Sequence, residues 1–191
     1  MARYKDIPQK GMPLPGDLHI RFKGVWDMQE LYDAAINYLR DRKYKFHEKI
    51  YKHKAPSPFG VERQYIWEAE QLIDDWMEVT FNIYIHTYDA HDIDVHDNNG
   101  EKKTLTKGKI WVVIRLTSSW DPKKDFDRNS FFGQLKAFYM NYIYRRRLLE
   151  GGFHRRFRTE QSGLYQVMLR TLKSERRDFE DAYQQGVHIR A

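Results

Sequence analysis

Six arginines fall between residues 145 and 158, as Arg145, Arg146, Arg147, Arg155, Arg156 and Arg158, against a single acid, Glu150. The guanidinium group is a planar fork that grips phosphate through parallel N–H bonds and stacks on bases. Phe153 and Phe157 are interleaved with these arginines. That composition points to contact with RNA or a ribonucleoprotein surface, in which the arginines neutralise phosphates and the rings stack. A competing role needs no nucleic acid. Arginines at a helix C-terminus complement its dipole, and they can pair with acidic residues of the same chain, of a second copy or of an acidic protein partner.

A second cluster runs from His86 to Asp97 and holds three His and four Asp in twelve residues. Imidazole and carboxylate together suit zinc, manganese or iron. Strand alternation puts Asp92, Asp94 and His96 on one face and Ile93 and Val95 on the other, which makes the first three the metal candidates. The plain alternative is the solvent face of an acidic hairpin. The carboxylates Glu62, Glu68, Glu70, Asp74, Asp75 and Glu78 lie along or between two neighbouring strands, and Glu68, between Trp67 and Ala69, is the least implausible of them as an acid or base. Acid–base catalysis needs a carboxyl group with a displaced pKa, and nothing in the pattern identifies one, so no catalytic residue is assigned. Nucleophile elbows, phosphate loops and dinucleotide fingerprints are absent as well. With no cysteine in the chain, thiolate metal sites, iron–sulfur clusters and disulfides are excluded. The expectation is a non-enzymatic protein without a cofactor.

These residues must be held by a fold, and the apolar periodicity describes it. Leu18, Ile20 and Phe22 alternate with polar residues as a strand, and Asp27 with Glu30 opens a helix over about 27–41 whose apolar positions are Leu31, Ala35, Ile36 and Leu39. A strand from Phe46 to about residue 54 follows, and then another from Val61. Met77, Val79, Phe81, Ile83 and Ile85 share one face of a long strand, and Ile110, Val112, Ile114 and Leu116 share one face of its return. Asn98, Asn99 and Gly100 are hairpin-turn residues between them. Helices are expected over 131–149, stopped by Gly151 and Gly152, and over about 161–180. The order β-α-β5-α-α gives an α+β fold, an antiparallel β-meander of about six strands packed against C-terminal helices.

Residues 1–16 read as an extended arm, 17–173 as one α+β domain and 174–191 as a charged, fraying tail. The element order is similar to that of helix-grip folds, in which a long C-terminal helix lies across a curved antiparallel sheet. That resemblance implies space for a ligand between sheet and helix. Tyr84, Trp111, Phe138 and Tyr142 would line it around an apolar or aromatic small molecule. Trp76, Tyr84, His86, Tyr88, Trp111 and Arg115 fall out of phase with the aliphatic residues. They form either an exposed stacking platform or, as the favoured expectation, a second layer of core.

Charge is unevenly spread. Residues 131–191 hold 12 Lys and Arg against 6 Asp and Glu, residues 1–54 hold 12 against 7, and residues 55–130 hold 9 against 14. A basic, acidic, basic chain can also pair with itself, or serve as a structural subunit of a larger assembly. No leader and no apolar run long enough for a membrane span is seen, so a cytoplasmic protein with no membrane contact is expected.

Overall fold

The computed structural model describes residues 12–13, 16–57, 60–74, 77–96, 102–120, 130–144 and 152–187. Six strands and three helices follow in chain order: β1 (Met12–Pro13), β2 (Leu18–Trp26), α1 (Met28–Asp41), β3 (Lys45–Ser57), β4 (Gly60–Asp74), β5 (Met77–His96), β6 (Lys102–Trp120), α2 (Ser130–Phe138) with a π-helical turn at Tyr139–Tyr144, and α3 (Phe153–Val187). The strands form one antiparallel sheet in the order β6, β5, β4, β3, with both β1 and β2 paired to the other side of β6. The fold class is α+β, as the periodicity implies.

The local causes can be named. Asp27 caps α1, its Oδ1 accepting from the backbone N–H groups of Gln29 (2.8 Å) and Glu30 (3.1 Å). Lys43, with φ at 64°, closes the helix, and the Tyr44 N–H returns to the Leu39 carbonyl at 3.0 Å. Along β5 the odd-numbered residues Met77 to Ile85 are buried together with Ile110, Val112, Ile114 and Leu116 of β6. The apolar stripes of α1 and α3, Leu31, Ala35 and Leu39 against Phe157, Leu164, Met168 and Leu172, cover this face and complete the main core. A side chain of α3 also reaches the sheet: Gln161 donates to the Ile114 carbonyl at 2.9 Å and to that of Gly16 at 3.1 Å.

Three helix boundaries differ from those read in the sequence. The helix expected over 131–149 is α2 followed by one π-helical turn, and residues 145–149 lie outside the described residues. The last helix begins at Phe153 instead of 161 and runs to Val187 instead of about 180. Gly152 sits at φ 77°, and its carbonyl accepts the Arg156 N–H at 3.0 Å, so the helix starts directly after the glycine. Charged side chains at 154–160 hid this turn because its two apolar anchors, Phe153 and Phe157, are a single i, i+4 pair. The hairpin-turn residues 98–100 lie outside the described residues, while β5 and β6 pair up to His96 and Lys102.

Candidate functional site

The arginine-rich segment divides. Arg145, Arg146 and Arg147 lie outside the described residues, whereas Arg155, Arg156 and Arg158 are exposed on the first two turns of α3. Phe157 is fully buried in the main core, and Phe153 packs half-buried against it with its ring 6.3 Å from that of Phe157. Those two rings therefore anchor the helix that carries the arginines. Arg156 donates from Nε to Glu160 Oε1 at 2.8 Å, while Oε2 of the same carboxylate accepts the Tyr44 hydroxyl at 2.7 Å. The Tyr38 hydroxyl donates to the Glu160 carbonyl at 2.9 Å, and the Arg42 guanidinium lies 3.6 Å from the centre of the Tyr38 ring. The end of α1 and the start of α3 are thus tied at one corner, where Arg40, Lys43 and Lys45 are also exposed. Burial, and then the hydrogen bond to Glu160, push the Tyr44 hydroxyl far above its ordinary pKa.

The second face of the sheet is a different environment. Ile66, Tyr84 and Val113 form a small separate core with Trp111 packed against it. Around them Gln64, Glu68, Asn82, His86 and Arg115 are buried. Arg115 clamps Asp17 with both Nε (3.0 Å) and Nη2 (2.7 Å), and Glu68 meets Lys49 at 3.5 Å. Of the residues read as out of phase, Tyr84, His86 and Arg115 are interior, Tyr88 and Trp111 are half-buried, and Trp76 lies outside the described residues.

On this face β2, β6 and β5 hold an open pocket of about 450 Å3 whose lining includes Arg21, Lys23, Tyr88, Lys109 and Trp111. Register explains the grouping. Arg21 pairs with Trp111, and Lys23 with Lys109, while Tyr88 faces Lys109 from the other side. The Arg21 guanidinium lies 5.8 Å from the Trp111 ring centre, and His19 stacks nearly parallel to that ring at 6.1 Å. Lys109 Nζ is 2.8 Å from Asp89 Oδ2. Asp89, at φ 51°, is the bulged residue of β5 between the register pairs at Tyr88 and His91. Two glycines make room for it: a Cβ on Gly60 would come within 2.7 Å of the Asp89 carbonyl carbon, and one on Gly108 within 2.9 Å of the Tyr88 carbonyl oxygen. The Tyr88 hydroxyl pKa is raised by burial and by Glu62, with Arg21 opposing.

No protein-family model matches this chain, and no curated protein matches its sequence.

A second cleft, of about 400 Å3, opens between the start of α1 and the sheet. Tyr32, Tyr65 and Trp67 wall it, and Asp27, Glu48 and Asp92 supply its charge. The candidate ligand Asp92 is taken up here by Arg63 (Nη1 to Oδ1, 3.1 Å) and by the Thr106 hydroxyl at 3.0 Å, and Asp94 accepts from Thr104 at 3.0 Å. The side chain of His96 is not among those described. Among the described residues no three His, Cys, Asp or Glu side chains converge as a metal site requires. The four residues considered for a ligand cavity are divided: Tyr84 lies edge-on to Trp111, whereas Phe138 and Tyr142 stack on each other, exposed, at 5.0 Å. Sequence reasoning missed Arg21, Lys23 and Lys109. The signal was present in β2, where His19, Arg21 and Lys23 alternate with Ile20 and Phe22, but the partner of β2 could not be read from the chain.

Proposed function

We propose that this protein is a non-enzymatic module that binds RNA or a ribonucleoprotein surface through the arginine-rich start of α3. The supporting observation is the joining of α1 and α3 around Glu160, which brings Arg42, Lys43 and Lys45 to the same corner as Arg155, Arg156 and Arg158. Glu160 is engaged by Arg156 and Tyr44, and with Asp41 as a second acid at the end of α1 the corner still holds more cations than carboxylates, which suits an anionic partner. Binding is mainly electrostatic and therefore salt-dependent. Replacing Arg145, Arg146, Arg147, Arg155, Arg156 and Arg158 by Ala is expected to lower affinity for a short single-stranded RNA at least tenfold. It should also flatten the slope of log affinity against log salt, by up to about 4 if all six touch phosphates. Fluorescence anisotropy across a salt series measures both. Unchanged affinity in a variant with wild-type circular dichroism would overturn the proposal.

The finer topology we read as helix-grip-like, because β2 returns to pair with the last strand and the C-terminal helix lies over the sheet. A cytoplasmic location fits an RNA partner and a chain without cysteine. A second reading, a structural subunit of a larger assembly, is favoured by the apolar surface of α2 and the turn after it. Phe131 is 71% exposed and Tyr142 68%.

A further inference from the structure

We infer that the pocket on the second face of the sheet binds a nucleoside monophosphate group, either as a free nucleotide or as one nucleotide of a single strand. The strand form rests on the RNA reading above; the free form does not. The volume of about 450 Å3 falls within the range of roughly 300–1,000 Å3 usual for small-molecule sites. Its walls and rim match the two halves of such a ligand. Trp111 and Tyr88 offer aromatic surface for a base, and base stacking on aromatic side chains tolerates any base identity. Arg21, Lys23 and Lys109 surround them with three cations, two of them about 7 Å apart along β2.

Two features that cost the fold something shape this pocket. Lys23 stands directly opposite Lys109 in the β2–β6 register, and like charges facing each other across strands are destabilising. Asp89 offsets the Lys109 charge at 2.8 Å, which leaves the Lys23 ammonium for a phosphate. Asp89 is held in the left-handed region by a bulge that both flanking strands accommodate with glycine, and bulges gather beside functional sites, where they re-aim side chains. Here the bulge sets Tyr88 at the pocket wall and turns Asp89 to Lys109 at 2.8 Å. Among the described residues Asp89 pairs with Lys109 and Glu62 lies near Tyr88, two acids against three cations. We assign the phosphate to Lys23, and the base to Trp111 and Tyr88 under the Arg21 guanidinium.

Isothermal titration of the full chain with adenosine monophosphate, adenosine and inorganic phosphate tests this. The nucleotide is expected to bind more than tenfold tighter than either fragment. Arg21→Glu with Lys23→Glu, both exposed, should weaken it at least tenfold, while Arg155→Ala, Arg156→Ala and Arg158→Ala together leave it unchanged. A second arm uses the short single-stranded RNA. If the mononucleotide fails to bind but RNA quenches tryptophan fluorescence, and both Trp111→Phe and the Arg21/Lys23 variant abolish the quenching, the nucleotide comes from a strand. Nucleotide binding that survives the Arg21/Lys23 variant overturns the site, as does a protein that shows neither nucleotide binding nor Trp111-dependent quenching. Nucleotide binding without any RNA affinity removes the proposed function and leaves the pocket standing.

Discussion

The two clefts of this molecule are nearly equal in size, about 450 and 400 Å3, and both are walled by Trp and Tyr, yet their charges are opposite. Two of the acidic cleft's three carboxylates serve the fold. Asp27 caps α1 and meets Lys103 at 3.3 Å, and Asp92 joins β5 to Arg63 of β4 and Thr106 of β6. In the basic pocket the ion pair among the described residues is Lys109 with Asp89, while Arg21 lies over Trp111 and Lys23 faces another lysine. The contrast lies in how far the polar groups of each cleft already satisfy one another.

That contrast makes a stability difference between two tryptophans the largest expected effect. Trp67 is fully buried, in contact with Tyr32 and Phe46, and Trp67→Ala should cost about 3–5 kcal/mol. Trp111 is half-buried, so Trp111→Ala should cost roughly half as much, about 2 kcal/mol, by urea denaturation. Equal costs would make Trp111 a core residue and dissolve the distinction between the clefts.

A smaller effect concerns alkali. Burial and the neighbouring Tyr51 push the Tyr65 hydroxyl in the acidic cleft from 10.0 up to about 12. The folded state therefore holds this proton more tightly than the unfolded chain. The resulting stability is fully present below pH 10 and is lost as pH rises from 10 to 12. Tyr65→Phe should blunt part of that loss in denaturation midpoints measured across the range. Tyr88→Phe, in the basic pocket, should change it less, because burial, the leading cause at both, is deeper at Tyr65. The reverse order would place the more enclosed site at Tyr88.

Much of the fold was legible because alternation and helical spacing are local. The odd-numbered run in β5 and the even-numbered run in β6 identify the core face, and Asp27 marks the start of α1. The pocket was not legible, because it depends on β2 pairing with β6 across about ninety residues of chain, and single-chain periodicity carries no register. Trp111 and Tyr88 were singled out correctly as out of phase, whereas their cationic neighbours became neighbours only through that pairing. The reading of Phe157 as a stacking ring overlooked that its spacing from Leu164 and Met168 puts all three on the buried face of α3.

The central claim, an RNA partner held at the start of α3, is tested most directly by ultraviolet cross-linking of the protein purified from its host without nuclease, followed by peptide mass spectrometry. The expected result is nucleotide adducts on peptides spanning residues 145–158, with further adducts at Tyr88 or Trp111 if the pocket takes a strand. Recovery of the protein free of RNA, or adducts confined to other surfaces, would contradict it.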